Sequence, residues 1–306
     1  MRIAVIGAGG VGGYFGARLA AAGETVAFIQ RGAHLQALRA NGLRVVSPLG
    51  DIALPSVVAT DNPKDVGPVD VVLITVKSGD TLAAGELARP LIAPDSIVIS
   101  LQNGVENEQR LAKSLGRQHV LGGVAYILSL LAEPGVVRHS GTIARIIFGE
   151  LDGRMTPRGQ AFLDACRRAG IDAEFTANIA TAIWAKFAVL CPHNGMTALT
   201  RLPIGPIRDD PDCREMLRLG VNEVIALAQA RGIALPAELI DHPLGFFDRV
   251  PAGMTSSMHY DLTHGRPLEL EWLNGAVVRL GRDSGVETPV NRFIYAALKL
   301  HAAGAA

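Results

Sequence analysis

Apolar and polar positions follow two different rhythms along the chain, and the change falls near residue 175. Before that point, short apolar runs rich in β-branched residues alternate with segments of helical spacing. Predicted strands cover residues 2–6, 25–30, 70–77, 96–103 and 142–149, and predicted helices cover 11–20, 82–92, 105–115 and 157–169. This alternation is typical of an α/β unit with an open, largely parallel sheet covered on both faces. Residues 43–60, divided by Gly50, predict an inserted hairpin.

Beyond residue 178 the strand-like runs stop and long helical patterns take over. Predicted helices cover residues 179–199, 216–229, 237–247, 268–281 and 291–302. The pattern therefore predicts a Rossmann-type dinucleotide-binding domain over residues 1–175 and an all-α domain over residues 176–306. Ligand sites often lie where two domains meet, so a cleft between them is the expected place for chemistry.

Composition narrows the class of protein. The chain has 306 residues, 49% of them hydrophobic, and carries 29 basic and 29 acidic side chains. This balance argues against a nucleic-acid binder or a polybasic membrane anchor. Three widely spaced cysteines form neither a disulfide framework nor a metal knuckle, and scattered histidines predict no metal site. With no secretory signal and no apolar run of about 18 residues, a cytoplasmic protein is expected.

The stretch from Gly7 to Gly16 holds six glycines where a predicted strand passes into a predicted helix. Gly7, Gly9 and Gly12 have the G-x-G-x-x-G spacing of dinucleotide-binding loops. The first glycine allows a tight turn, the second allows backbone to approach a pyrophosphate, and the third lets helix pack on strand. Gly10 and Val11 complete the predicted cofactor loop, because the N–H groups of a helix N-terminus bind phosphate.

The end of the second predicted strand indicates which dinucleotide binds. NAD-binding units usually carry an acid there that holds the ribose 2′-OH. This chain instead reads "VAFIQRG", which places Gln30 and Arg31 at that point. A planar guanidinium suits a 2′-phosphate, so the sequence favours NADPH. The alternative is an ordinary exposed arginine.

Several segments together resemble the ketopantoate reductase (2-dehydropantoate 2-reductase) family over essentially the whole chain. They are the glycine loop with Arg31, "TVKS" at 75–78, "LQNGVEN" at 101–107, "PGVVRHSG" at 134–141, "IWAKFAVLCPHNGMTAL" at 183–199 and "SSMHYDLTHGRPLELEWLNG" at 256–275. The resemblance implies NADPH-dependent reduction of ketopantoate, a 2-oxo acid, on the route to pantothenate. It implies Lys77 beside the cofactor and Asn103 beside nicotinamide and substrate.

The same resemblance implies roles for four residues of the helical half. Lys186 matches the catalytic lysine, while Ser257, Glu269 and Asn194 match substrate-binding positions. These roles are chemically reasonable, because the alkoxide left by hydride transfer must be stabilised and protonated, and a lysine ammonium can do both. Glu269 could orient that ammonium. Taken alone, these residues also suit a snorkelling lysine, a helix cap and a first-turn acid.

One position departs from the family pattern. Leu190 stands where the resemblance implies an asparagine that binds the hydroxyl-bearing end of ketopantoate. On a continuous helix Leu190 shares a face with Lys186 and Asn194, although Pro192 could kink that helix. His193 could lie near the same face and replace the lost amide. The departure leaves hydride transfer intact and puts the identity of the 2-oxo acid in question.

The sequence therefore predicts a cytoplasmic NADPH-dependent oxidoreductase that acts on a small 2-oxo acid, with ketopantoate as the leading substrate. One alternative is a reductase of another branched or hydroxylated 2-oxo acid. Another is a redox sensor that binds NADPH without catalysis, although a sensor has no need for Lys186, Ser257 and Glu269 together. The sequence leaves the oligomeric state open and is compatible with a homodimer.

Overall fold

The computed structural model describes residues 1–305, which form two compact units. The first unit comprises Met1–Gln102 and Glu106–Ile179. The second comprises Asn103–Val105 and the residues from Ala180 onward. The chain therefore enters the second unit for three residues and returns before the helical half begins.

A single mixed sheet of ten strands forms the centre of the first unit. The strands are β1 (Arg2–Ile6), β2 (Thr25–Ile29), β3 (Leu43–Val46), β4 (Ile52–Leu54), β5 (Val58–Thr60), β6 (Val69–Ile74), β7 (Ile92–Ser100), β8 (Val120–Glu133), β9 (Val136–Glu150) and β10 (Asp172–Phe175). Their order is β4-β3-β9-β8-β7-β6-β1-β2-β5, with β10 paired to β9. Only β3–β4 and β8–β9 pair antiparallel, so the predicted largely parallel sheet is confirmed.

Five helices of the first unit connect these strands. They are α1 (Gly10–Ala21), α2 (Gly32–Asn41), α3 (Thr81–Ala88), α4 (Asn107–Leu115) and α5 (Pro157–Arg168). Alternate side chains of β1 enter different cores: Ile3 and Val5 join one buried cluster, whereas Ala4 and Ile6 join another. Because successive strand residues point to opposite faces, the sheet is covered on both sides, as expected for a parallel sheet.

The described residues from Ile179 to Ala305 form helices joined by turns and loops. The helices are α6 (Ile179–Thr200), α7 (Ile204–Asp209), α8 (Pro211–Ala230), α9 (Ala237–Asp241), α10 (Gly245–Arg249), α11 (Ser257–Thr263), α12 (Asn274–Ser284) and α13 (Pro289–Leu298). Helix α6 continues through Pro192 without a break. The last strand ends at Phe175, so the change of rhythm near that residue is a real change of structure.

Some local predictions need correction. The single helix predicted over residues 237–247 is two short helices, α9 and α10, because Pro243 has no N–H to continue the first. The predicted hairpin exists as β3 and β4, whereas β5 leaves it and pairs parallel with β2. The long strand β8 was absent from the prediction, although its apolar run "VLGGVAYILSLL" could have indicated it.

Candidate functional site

The loop between β1 and α1 has the backbone geometry that its glycines predict. Gly7 adopts a φ of +96°, in the region that disfavours residues with a side chain. A Cβ on Gly12 would overlap the Gly7 carbonyl oxygen, so glycine is needed for α1 to pack against this loop. A Cβ on Gly9 would meet nothing within 4 Å, so the backbone there borders open space. The N-terminus of α1 at Gly10 and Val11 therefore fits a dinucleotide pyrophosphate.

Three side chains brace this loop from neighbouring segments. Thr75, just after β6, donates from Oγ1 to the Gly7 carbonyl at 2.7 Å. Gln30, just after β2, accepts the Ala8 N–H on its Oε1 at 3.1 Å. His34 of α2 lies 2.7 Å from the Ala8 carbonyl through Nε2. Both hydrogen-bonding groups of Ala8 are thus held by side chains.

Arg31 and Lys77 stand at the ends of the two strands that flank β1. Arg31 is the N-cap residue of α2; its side chain is 86% exposed and lies 3.8 Å from a carboxylate oxygen of Asp80. Lys77 is also exposed and precedes a short 3₁₀ turn, Ser78–Asp80. Both strands run parallel to β1, so these residues and the glycine loop lie at the same edge of the sheet. This is the edge at which open α/β sheets bind ligands.

The second unit contains a polar cluster centred on Lys186 of α6. Its ammonium donates a hydrogen bond to Asn103 Oδ1 at 2.7 Å. Burial lowers the pKa of Lys186 from 10.5 to about 8, while the nearby negative charge of Glu269 opposes that shift. An amine with this pKa holds a proton near neutral pH and can release it readily, as a general acid requires.

Two turns further along α6, Asn194 is almost fully buried. Its Oδ1 accepts a long hydrogen bond of 3.4 Å from the Met258 N–H, at the start of α11. Within residues 1–305 its Nδ2 has no hydrogen-bond partner. A buried amide donor without a partner costs about 1–3 kcal/mol, so a ligand that accepts this hydrogen bond would recover that loss.

Ser257 and its neighbour Ser256 divide two roles at the start of α11. Ser256 is the buried N-cap, whose Oγ accepts the His259 N–H at 3.1 Å and lies 2.7 Å from Thr197 Oγ1 of α6. Ser257 is the first residue of the helix and its side chain is exposed. The capping role weighed for Ser257 therefore belongs to Ser256, which leaves the Ser257 hydroxyl available to a ligand.

Glu269 is buried and stands at the N-cap position of the 3₁₀ turn Leu270–Trp272, rather than inside a helical turn, and its side chain does not cap that turn. Its negative charge favours the protonated form of Lys186. The structure thus brings Asn103, Lys186, Asn194 and Glu269 into the same unit from distant parts of the chain.

Leu190 and His193 lie on the same stretch of α6. At about 100° per residue, Leu190 is rotated by roughly 40° from Lys186, and His193 returns to within about 20° of it. His193 is 5% exposed and packs near the rings of Phe246 and Phe247, with centroids 6.0 and 6.1 Å away. Burial lowers its pKa to about 4, so the imidazole is neutral, and its Nε2 has no partner within the described chain.

Sequence reasoning missed His34 and gave Gln30 no role in holding the loop. Neither residue belongs to a recognised spacing, because their contacts join segments that are distant in the chain. The available signal was weak: the polar residues Gln30 and His34 lie on either side of Arg31, near the position where a ribose-binding acid usually stands.

Across residues 1–305, no group of three or more His, Cys, Asp or Glu side chains is arranged to hold a metal ion. The helices described in the same range include none that is long and apolar enough to cross a membrane.

A Rossmann-type loop in one unit, and a partly buried lysine bonded to an amide in a helical unit, fit the class of NAD(P)-dependent oxidoreductases that act on CH–OH groups. The family described as "Ketopantoate reductase PanE/ApbA" matches residues 3–153, and its C-terminal counterpart matches residues 178–302. The chain therefore belongs to the ketopantoate reductase family, which confirms the resemblance and the fold class predicted from sequence.

Individual relatives agree with this assignment. The 2-dehydropantoate 2-reductase of Archaeoglobus fulgidus is 35% identical over 292 residues, which cover 95% of this chain and 94% of the relative. The crystal structure of 2-dehydropantoate 2-reductase from Geobacter metallireducens is 36% identical, with a TM-score of 0.91 and coverage of 98% and 99%. A structure of D-mandelate dehydrogenase with NADH and anilino(oxo)acetate is 25% identical, with a TM-score of 0.89 and 98% coverage of both chains.

Proposed function

We propose that the protein reduces a 2-oxo acid to a 2-hydroxy acid with NADPH, with ketopantoate as the leading substrate and Lys186 as the general acid. The observation that carries this proposal is the partly buried Lys186 ammonium, which donates to Asn103 and has a pKa of about 8. Membership of the ketopantoate reductase family supports the same reaction class.

Lys186 acts at the oxygen of the keto group. When bound, NADPH supplies a hydride to the keto carbon. Lys186 donates its proton to the oxygen as negative charge develops there, which gives the 2-hydroxy acid and leaves a neutral amine for solvent to reprotonate. Asn103 holds the ammonium through its Oδ1, and Glu269 keeps the amine protonated between turnovers.

Asn194 and Ser257 position the rest of the substrate. The unpartnered Nδ2 of Asn194 and the exposed hydroxyl of Ser257 are neutral groups that can donate hydrogen bonds to a carboxylate or hydroxyl oxygen of the substrate. Neutral donors orient the anion without competing with Lys186 for the role of acid.

The preference for NADPH over NADH rests on the residues after β2. Arg31 offers an exposed guanidinium, and Lys77 a second cation, at the edge of the sheet where the ribose of a dinucleotide lies. Because the Gln30 Oε1 faces the Ala8 N–H, its amide nitrogen is left as a donor, which also suits a phosphate better than a hydroxyl.

The test is a panel of 2-oxo acids in which loss of nicotinamide absorbance is followed with NADPH and with NADH. Rapid oxidation of NADPH by ketopantoate, and slower use of NADH, is the expected result. A protein that binds NADPH tightly but reduces no acid in the panel would instead be a redox sensor.

A second candidate is reduction of a 2-oxo acid with an apolar side chain. Leu190 favours it, because this residue presents hydrocarbon one turn from Lys186 where a hydroxyl-bearing substrate would need a polar partner. The likeness to D-mandelate dehydrogenase supports the same direction, since mandelate carries a phenyl group beside its hydroxy acid. Including 2-oxoisovalerate and benzoylformate in the panel separates the two candidates.

A further inference from the structure

The peptide groups of Ala8 are held from both sides by residues that flank Arg31. The Ala8 N–H donates to Gln30 Oε1 at 3.1 Å, and the Ala8 carbonyl lies 2.7 Å from His34 Nε2. Ala8 itself is fully buried and stands between the two glycines that open the cofactor loop. A buried carbonyl that lost its partner would be destabilised where it stands, so the loop would rotate to find another partner.

A third bond decides which nitrogen of His34 carries the proton. The Gly135 N–H, in the turn between β8 and β9, donates to His34 Nδ1 at 3.0 Å. Since Nδ1 accepts, Nε2 must carry the hydrogen of a neutral imidazole and donate it to Ala8. Burial also lowers the pKa of His34, which favours this neutral form. His34 is therefore a single bridge from the hairpin turn to the cofactor loop.

We propose that His34 is a positioning residue for the dinucleotide, which acts by fixing the orientation of the Ala8 peptide. Rotation of that peptide would redirect the neighbouring N–H groups of Gly9 and Gly10, which the pyrophosphate needs at the start of α1. The same bond joins the cofactor loop to α2, because His34 lies in the first turn of that helix. Arg31 is the N-cap residue of the same helix.

This inference rests on the proposed binding of a dinucleotide at the glycine loop. It concerns the pyrophosphate that NADPH and NADH share, so loss of the bond should weaken both cofactors by the same factor. Loss of Arg31, by contrast, should weaken NADPH alone. The two effects can therefore be separated with the same pair of ligands.

Two substitutions separate the two bonds of the imidazole. In His34→Asn the side-chain oxygen occupies the place of Nδ1 and can still accept from Gly135, but it does not reach Ala8. In His34→Gln the side-chain nitrogen can reach the position of Nε2 and donate to Ala8, while the bond to Gly135 is lost. Each variant keeps one of two neutral hydrogen bonds, so a purely structural role predicts similar melting temperatures and similar dissociation constants.

The measurement is direct titration of the full-length native protein and both variants with NADPH and NADH, with melting temperatures recorded alongside. We expect His34→Asn to bind both cofactors about 5- to 50-fold more weakly, and His34→Gln to stay within about threefold of the native protein. Equal weakening in the two variants, or unchanged binding in His34→Asn, would overturn the proposal.

A further variant decides the matter if His34→Asn does not fold. Gln30→Met keeps the length of the side chain but removes the acceptor for the Ala8 N–H, so it releases the adjoining Gly7–Ala8 peptide of the same loop. If Gln30→Met binds NADH more weakly than the native protein, the positioning role of the Ala8 hydrogen bonds is supported. If it binds NADH as tightly as the native protein, that role is contradicted. If the native protein binds neither cofactor, the proposed function fails as well, whereas normal native binding with indifferent variants refutes the positioning role alone.

Discussion

The cofactor loop of the first unit and the polar cluster of the helical unit use the chain in different ways. The loop is made mostly of backbone, and its defining residues, Gly7 to Gly12, are consecutive. The cluster is made of side chains from residues that are far apart in the sequence, between Asn103 and Glu269. A backbone site of this kind tolerates few substitutions, because a side chain at these glycines would disturb the backbone conformation that forms the site. A side-chain site can change one group and keep the rest, which is what we propose for Leu190. Substrate identity is therefore easier to alter than the cofactor site.

The strongest way to break this comparison is to remove the acid. Lys186→Ala should lower kcat about 10²- to 10⁴-fold, because a positioned general acid contributes about that much. NADPH binding should survive, since Lys186 belongs to the helical unit. Steady-state kinetics with ketopantoate and titration with NADPH measure the two effects. Lys299→Ala, which removes an exposed lysine of the same unit, is the control. Near-native turnover in a folded Lys186→Ala protein would exclude this lysine from the mechanism.

Substitution of Arg31 in the cofactor site should have a smaller effect on activity, and only with NADPH. Arg31→Ala should cost about 10- to 100-fold in kcat/KM for NADPH, because hydrogen bonds to charged groups contribute roughly 1.5–3 kcal/mol. Use of NADH should change little. Arg89→Ala, an exposed arginine paired with Glu86, is the matched control. Equal losses with both cofactors would mean that Arg31 does not distinguish them.

Leu190 tests whether the side-chain site sets substrate identity. If the hydroxymethyl end of ketopantoate faces this residue, the native protein should favour ketopantoate over 2-oxoisovalerate only weakly. Leu190→Asn should raise that ratio of kcat/KM values about 5- to 30-fold, mainly by improving ketopantoate. Leu190→Met keeps the site apolar and should leave the ratio alone. A native preference of about 10³-fold, or no change in the asparagine variant, would place the hydroxyl elsewhere.

The smallest effect concerns the pH profile. With a pKa of about 8, Lys186 is protonated at neutral pH, so kcat/KM should fall as pH rises through about 8. The negative charge of Glu269 raises this pKa, so Glu269→Gln should move the falling limb to lower pH. Glu271→Gln, at an exposed acid paired with Arg279, should leave the limb in place. A limb that does not move in Glu269→Gln would show that this carboxylate does not tune the lysine.

The same contrast explains what the sequence could predict. Gly7, Gly9, Gly12 and Arg31 could be predicted as cofactor residues from local spacing, because a turn between strand and helix is determined by its own residues. Lys186 and Asn103 are 83 positions apart and meet only after folding, so their roles needed a family resemblance. No pattern identified His34, whose partners lie 26 and 101 positions away. The break at Pro243 and the strand β8 were local, and closer attention to proline and to apolar length would have found them.

The position of Asn103–Val105 in the helical unit has a consequence for making chimeras of proteins in this family. These residues belong to the helical unit, whereas the residues on either side of them belong to the first. A chimera that exchanges whole halves at residue 179 would give Lys186 an asparagine from a different parent. Exchange should succeed more often between parents that share the "LQNGVEN" segment, or when that segment travels with the helical half as a separate insert. The residues proposed here to bind the substrate are thus encoded in two separate parts of the gene, and a single crossover cannot transfer them together.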